Sequence, residues 1–596
     1  MSPRTPLRPL ARILDARARG ENPDAIEAEN IRDRHEAMRD KSRARAESRL
    51  LLLVMGFCAA FLTIGIRMAA LAGAEPEEPR TIASASRIQA QRADIVDRNG
   101  NVLATNLVTH ALYSHPRDMV DPARAARELA RIFPDMSEEK LLRQFTSGSA
   151  FIWLRKKLSP EQVQAVHDIG EPGLLFGPRE MRLYPNGKLA AHLLGGASFG
   201  EEGVHSAEVI GVAGIEKAMD ERLRDPDQLD KPLQLSIDLS VQAAIAEVLH
   251  SGMKLLNARG AASILMDAQT GEVLAMVSLP DFDPNDRPPP PTEGDPADSP
   301  IFNRALQGLY ELGSVMKIFP IAQALELGLV TPDTMVPSNS PMQLGRFKVR
   351  DYKNYGPQLS VTDVIVKSSN VGTARVVSQI GPVRQQAFLK ELGLLDPSPV
   401  ELIEAPRARP LLPRKWSDIA SATISYGHGM STSPMQLAAG YAAMVNGGYK
   451  VTPTLIKRDS APPRGEPVIS EQTSAQVRTM LRLVVEKGTA KMAEVPGYYI
   501  GGKTGTADKQ KPTGGYWKDK VMANFAGAFP MNDPRYVIIV SLDEPVETSG
   551  TEARRTAGWT AVPVTAEIVR RIAPLLGLRP AEVEAHAPTK VTTVRN

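Results

Sequence analysis

The sequence predicts an α+β protein in which helices cover an antiparallel sheet, preceded by one transmembrane helix. Three observations carry that expectation. Residues 50–66 are an apolar run without a single charge. The C-terminal half reads as strands, then a block of helices, then strands again, the order expected of a sheet packed against helices. At 596 residues the chain is also too long for one hydrophobic core, so two or three folded regions are expected.

Composition excludes several function classes. Hydrophobic residues at 42% and charged residues at 23% are ordinary for a globular protein. The 71 Lys and Arg barely exceed the 68 Asp and Glu, and aromatics are only 5%, so neither charge nor stacking surface points to nucleic acid. The single cysteine, Cys58, lies within the apolar run and rules out an internal disulfide or a cysteine-rich metal site.

Seventeen helical residues span roughly 26 Å, close to the hydrocarbon thickness of a bilayer. Apolar character resumes after Arg67, whose long side chain can snorkel to the interface. Residues 1–49 carry twelve Lys/Arg against nine acids, while Glu75-Pro76-Glu77-Glu78 follows the run. The positive-inside bias then places the N-terminus in the cytoplasm and residues beyond about 75 outside, periplasmic where an inner membrane is crossed. Small-residue cleavage patterns at Ala70-Leu71-Ala72 offer the rival of a removed signal peptide, but the long charged leader favours a retained anchor. The expected organisation is a tail at 1–49, flexible or partly helical, an anchor at 50–74, a first external region at 75–232, a second at 233–579, and a loose tail at 580–596.

Within the first external region, Asn99-Gly100 joins two apolar runs, Ile95-Val96 and Val102-Leu103, as a hairpin would. A helix is expected over 123–133. In the second region Leu235–Ile237 alternates like a strand, and 241–256 repeats apolar residues at helical spacing. Strands are expected at 261–267 and 273–278 around Gln269-Thr270-Gly271. A helix should open at Ser314, more helices fill 360–450, and strands at 500–507, 523–529 and 536–542 close the domain.

Three short motifs carry chemistry: Ser314-Val315-Met316-Lys317, Ser368-Ser369-Asn370 and Lys503-Thr504-Gly505-Thr506. Each alone is weak. S-x-x-K also occurs at Ser137…Lys140, where the serine reads as a helix N-cap, and at Ser251…Lys254, late on a helix surface. Ser314 differs because it follows Gly313 where a helix opens, so its hydroxyl is exposed and first-turn N–H groups are free to steady an oxyanion. Lys317 lies one turn on along the same face. To act as a base it must be neutral part of the time, which burial or a neighbouring cation would bring about. In the second motif a serine can pass a proton and an asparagine amide can hold a peptide; the motif register favours Ser368 over Ser369. The third motif overlaps a phosphate-loop pattern, Gly497 to Thr504, but no buried strand precedes it and no helix follows. As a strand edge instead, Gly505 lets an extended peptide lie close and Lys503 offers charge to a carboxylate. Simple alternation puts Lys503 and Thr506 on opposite faces, so joint action requires twist or a backbone contact.

The ordered set, with Ser368 54 positions after Ser314 and Lys503 a further 135 on, resembles the active-serine constellation of penicillin-binding proteins and β-lactamases. The resemblance extends over about residues 85–575. Arg92–Gly100, Arg182-Leu183-Tyr184-Pro185 with Gly214-Ile215-Glu216, and Thr270–Met276 are similar to blocks of class B penicillin-binding proteins. Ser425-Tyr426-Gly427-His428-Gly429 looks most like the division-specific FtsI branch. Leu312 stands where a proline is common and Ala93 where a glycine is, and neither change removes a reactive group.

This resemblance implies a transpeptidase fold on an elongated α+β pedestal or dimerisation domain, and a peptidoglycan D,D-transpeptidase acting at the septum. It implies that Ser314 attacks the D-alanyl-D-alanine carbonyl of a stem pentapeptide, that Lys317 takes its proton, and that Ser368 and Lys503 shuttle it to the leaving amine. Asn370 would position the donor, with Thr504, Gly505 and Thr506 lining the carboxylate site and the Ser314 and Thr506 N–H groups forming the oxyanion hole. An acceptor amine would resolve the ester, β-lactams would inhibit, and no metal or organic cofactor would be needed. A lipid-II polymerase and divisome membrane proteins are the implied partners. The alternatives are an elongation-specific homologue, a β-lactam-hydrolysing or -sensing serine protein, for which no water-activating group stands out, and a non-catalytic scaffold.

Overall fold

The computed structural model describes residues 8–73, 92–202, 207–345, 347–511 and 513–581. The acidic stretch at 75–78 and the tail from 582 onward lie outside the described residues. The chain divides into two units, 1–87 and 88–596.

In the first unit, helix α1 (Arg8–Ala18) is followed by α2 (Pro23–Gly73), a single helix of 51 residues. The expected flexible or partly helical tail is therefore helical through nearly all of its described length. Residues 24–55 contain no glycine or proline, Asn22 accepts from the Asp24 N–H at the start, and Arg43 pairs with Glu47 one turn on. Propensity and such pairs build a helix without an apolar stripe. Arg49–Met68, with a mean hydropathy of 2.2 and no buried residue, is the one segment among the described residues long and apolar enough to cross a membrane.

The second unit begins with an α+β region. Ile95-Val96 turns through Asn99-Gly100 and pairs antiparallel with β1 (Val102–Ser114), as the Asn-Gly signal predicts. β1 also pairs with β2 (Ile152–Leu158) and β3 (Leu174–Leu183), and helix α3 (Pro122–Ile132) packs beside them. Arg92, Arg182 and Glu216 are buried together: Glu216 accepts from Arg92 at 2.8 Å and from Arg182 at 2.6 Å, so each charge removed from water has a partner. The conspicuous arginines of the sequence blocks are thus structural ties.

The chain enters the second region through Leu233-Gln234, which pairs in parallel with Ile95-Val96. Leu235–Ile237, expected as a strand, holds only an isolated bridge from Leu235 to Ile456. Helix α4 (Leu239–Leu255) starts where the Asp238 carboxylate caps two backbone N–H groups. Then come β4 (Gly260–Asp267) and β5 (Val273–Leu279), and at the end of the chain β6 (Gly501–Gln510), β7 (Tyr516–Phe529) and β8 (Tyr536–Asp543). They form one antiparallel sheet in the order β6–β7–β8–β4–β5. Its central strands are apolar almost throughout because helices cover both faces: α4 and the C-terminal helix Ala561–Leu575 on one, Pro434–Val445 on the other. Edge strand β6 carries Lys503–Thr506.

Candidate active site

The nucleophile candidate sits on a turn fixed from several sides. Gly313–Lys317 is a 3₁₀ turn, continuing as α-helix from Ile318 to Glu326, so the helix expected to open at Ser314 begins more tightly wound than an α-helix. In 3₁₀ geometry residues three apart eclipse, which puts Ser314 and Lys317 on the same side of the turn. Gly313 has φ +66° and a Cβ there would meet the Thr506 carbonyl oxygen at 2.7 Å. The Gly313 N–H donates to the Gly427 carbonyl at 3.1 Å, the Asn524 amide to the Leu312 carbonyl at 3.2 Å, and the Tyr441 hydroxyl to the Val315 carbonyl at 2.7 Å. Ser314 itself is half-buried, and its hydroxyl makes no hydrogen bond among the described residues.

Ser368 occupies a position normally given to glycine. The helix Val361–Val366 ends in a paired turn: the Ser368 N–H bonds the Ile365 carbonyl and the Ser369 N–H the Val364 carbonyl, with Ser368 at φ +62°. This left-handed conformation costs a side chain of ordinary type about 1–2 kcal/mol. It aims the hydroxyl at two buried amines. Lys317 Nζ donates to the Ser368 carbonyl at 2.6 Å and stands 3.1 Å from its Oγ, while Lys503 Nζ donates to the same Oγ at 2.9 Å. Ser369, the other serine, faces away. It caps the helix α5 (Asn370–Ile380) by accepting from the Gly372 N–H, and it donates to Asp351.

Both lysines are fully buried. Burial pushes Lys317 well below its ordinary pKa, with the charge of Lys503 adding to the effect and Asp351 opposing it. Burial brings Lys503 down to about 7. The desolvation that a neutral base requires is therefore present.

The alternation problem on β6 is solved by side-chain length. Lys503 leaves the strand on the face opposite Thr504, yet its amine curls back to the Thr504 carbonyl at 3.1 Å and onward to Ser368. Thr506 reaches the nucleophile turn through its backbone, beside Gly313. Its hydroxyl accepts from the Ala557 N–H at 3.0 Å, and the Thr504 hydroxyl lies 2.6 Å from that of Thr489. Gly505 faces inward, not toward an open groove: a Cβ there would lie 2.3 Å from the Leu312 carbonyl oxygen. The missing side chain admits the nucleophile turn, a reason different from the close peptide approach expected. Asn370 stands outside the lysine network, its amide donating to the Arg350 carbonyl at 2.9 Å. The phosphate-loop alternative has no structural support, because Lys503 is followed by strand.

Sequence reasoning missed Asp351 and Glu311. Asp351 accepts from Ser369 Oγ and from the Asn370 and Val371 N–H groups, so it anchors the start of α5. Its separation of nearly twenty residues from its partners left no local pattern to read. Glu311, three residues before Ser314, gathers four donors.

A model of the penicillin binding protein transpeptidase domain matches residues 261–569, and one of the penicillin-binding protein dimerisation domain matches 87–229. The first alone covers more than half of the chain. The chain belongs to the penicillin-binding protein transpeptidase family. Within that family it is 34% identical to a probable peptidoglycan D,D-transpeptidase FtsI of Caulobacter vibrioides, over 91% of this chain and 92% of that one. It is 31% identical to the probable peptidoglycan D,D-transpeptidase PenA of Neisseria gonorrhoeae, over 84% and 87%. Penicillin-binding protein 3 of Mycobacterium tuberculosis, solved as a complex with aztreonam, superposes with a TM-score of 0.61 at 27% identity, covering 83% of this chain and 97% of that one. The α+β transpeptidase fold read from the sequence is therefore the family's fold, and the family models match both 87–229 and 261–569.

Proposed function

We propose that this chain is a serine-type peptidoglycan D,D-transpeptidase of the division branch, sensitive to penicillin. The observation that carries the reading is the convergence of two buried lysines on Ser368, one of which, Lys317, lies one 3₁₀ turn from Ser314. A neutral Lys317 amine that gives both its N–H bonds to Ser368 has one lone pair left for the Ser314 proton. Ser314 Oγ attacks the penultimate D-alanine carbonyl and its proton passes to Lys317. The Ser314 and Thr506 N–H groups hold the oxyanion. The proton then moves through Ser368, with Lys503 beside it, to the departing nitrogen, and D-alanine leaves as the Ser314 ester forms. An acceptor amine of a second stem peptide attacks the ester, completes the cross-link and returns a proton to Ser314. Thr504 and Thr506 exchange their present hydrogen-bond partners for the substrate carboxylate, and Asn370 lines the donor peptide. A β-lactam opens on the same serine and stays.

The division assignment draws on the likeness to FtsI proteins, including that of Escherichia coli at 27% identity. The reading has residues 1–49 in the cytoplasm, 50–74 across the inner membrane, and a pedestal (75–232) and transpeptidase domain (233–579) in the periplasm, with a short tail. A lipid-II polymerase and other division membrane proteins are its partners. Labelling with a fluorescent penicillin tests the chemistry: intact-protein mass spectrometry should place one adduct on Ser314, and Ser314→Ala should abolish it. Labelling that persists in Ser314→Ala overturns the assignment. Localisation to the side wall rather than mid-cell would move the protein to the elongation branch.

A further inference from the structure

Glu311 is buried at 6% exposure, and only Leu312 separates it from the turn that carries Ser314. Its Oε1 accepts from the Gly429 N–H at 2.7 Å, Gln510 Nε2 at 2.7 Å and the Tyr516 hydroxyl at 3.0 Å, while Oε2 stands 3.0 Å from His428 Nδ1. Those donors belong to three separate pieces of chain. Gly429 and His428 lie on the turn whose Gly427 carbonyl holds Gly313. Gln510 ends β6 and Tyr516 begins β7, opposite one another where the hairpin register becomes irregular. Residues 516–519 are exposed, so this end of the hairpin projects beyond the helices that bury the rest of the sheet. Lys509 pairs with Asp543 and Glu544, and Lys520 with Glu544, so these ties join the hairpin to the end of β8 and not to the nucleophile turn. Burial alone would raise the Glu311 pKa; hydrogen bonds from His428 and the Gly429 N–H outweigh it and keep the carboxylate below its ordinary value. An ionised acceptor with three donors on one oxygen is a strong clamp.

We infer that Glu311 is a positioning residue that locks the projecting end of the β6–β7 hairpin, and with it the Lys503–Thr506 edge, to the nucleophile turn. The inference rests on Ser314 being the nucleophile. Its consequence is that the substrate-facing strand and the attacking serine move as one body, so the acyl group and oxyanion site keep their register while a long peptide is laid along the edge. Losing a tie of this kind leaves the reactive groups intact but misplaced, and a misplacement near 1 Å costs acyl transfer one to two orders of magnitude.

The test is the second-order rate constant for acylation by a fluorescent penicillin, with melting temperature, in the full-length chain in detergent. Tyr516→Phe and Gln510→Ala each remove one donor from an exposed hairpin end and should slow acylation several-fold without moving the melting temperature. Glu311→Ala should slow it about tenfold or more. Glu311→Gln, which keeps an acceptor oxygen, should recover most of that loss. Adding Tyr516→Phe to Glu311→Ala should cost nothing further, since both break one clamp. Wild-type acylation in the Tyr516→Phe, Gln510→Ala double variant, or losses that multiply in the Glu311→Ala, Tyr516→Phe pair, would overturn the inference. So would losses that follow the melting temperature across the series. In each case the adduct remains on Ser314, which separates failure of this inference from failure of the transpeptidase reading.

Discussion

Lys317 and Lys503 reach the same oxygen: their amines stand 3.1 and 2.9 Å from the Ser368 hydroxyl. Two ammonium groups so close in a dry site repel, so a charge on Lys503 favours a neutral Lys317. On the proposed mechanism acylation draws on the free Lys317 amine, so its rate should rise with pH as Lys317 loses its proton. Replacing Lys503 by Gln removes one cause of the depressed pKa, so that rising limb should move to higher pH while the overall rate falls. A pH series of penicillin acylation rates reads both. A limb that stays in place would mean that Lys503 acts without electrostatic influence on its neighbour.

The left-handed turn at Ser368 makes a second prediction, about stability. Ser368→Ala and Ser368→Gly both remove the hydroxyl that the two lysines share, and both should reduce penicillin acylation by orders of magnitude. They should not be equally stable. At φ +62° alanine keeps the strain and glycine is free of it, so the glycine variant should be more stable by about 1 kcal/mol in denaturant titrations. Equal midpoints would indicate that the turn relaxes in solution. On the proposed mechanism the strain is retained because glycine, which suits the backbone, would carry no hydroxyl for the two lysines to share.

What the sequence disclosed was governed by whether the information was local. The strands at 261–267 and 536–542 were legible because both are short apolar runs bounded by turn residues, the second also rich in β-branched residues, too short for a typical helix. The hairpin at Asn99-Gly100 was legible for a similar reason. Ser137 and Ser251 were separated from Ser314 by local capping and surface context alone. Asp351 and Glu311 escaped because each acts across 18 to 205 residues on partners that share no pattern with it. The helix over residues 23–48 was legible only as a flexible or partly helical tail, because alanine, arginine and glutamate propensity builds it without an apolar stripe. The role of Gly505 was misread because strand reasoning considers the two faces of a sheet edge, and the nucleophile turn that occupies one of them comes from nearly two hundred residues earlier.

That crowding leads to a third prediction. Gly505→Ala adds only a methyl group, yet its Cβ would lie 2.3 Å from the Leu312 carbonyl oxygen and 3.1 Å from the Val315 nitrogen. Backbone on both sides must shift, and the group displaced is the turn carrying Ser314. Penicillin acylation should fall about a hundredfold, as expected for a misplacement near 1 Å, although every reactive side chain is retained. Acylation within a few-fold of wild type would show that the strand and turn can separate without consequence.

Asp351 provides the opposing electrostatic test. It accepts the Asn370 and Val371 N–H groups at 2.5 and 3.0 Å at the start of α5, where a negative charge is favourable, and it raises the Lys317 pKa that burial lowers. Asp351→Asn keeps the shape and one acceptor but removes the charge. The helix start should lose about 1 kcal/mol, seen as a lower melting temperature. The Lys317 limb of the acylation profile should move to lower pH, because the ammonium form loses its stabilising neighbour. This shift is opposite in sign to that of Lys503→Gln. A purely structural disturbance of the site has no reason to displace the two limbs in opposite directions, so the pair of profiles separates electrostatic tuning of Lys317 from general damage to the fold. Limbs that move the same way in both variants would sink the assignment of Lys317 as the base whose protonation the site controls.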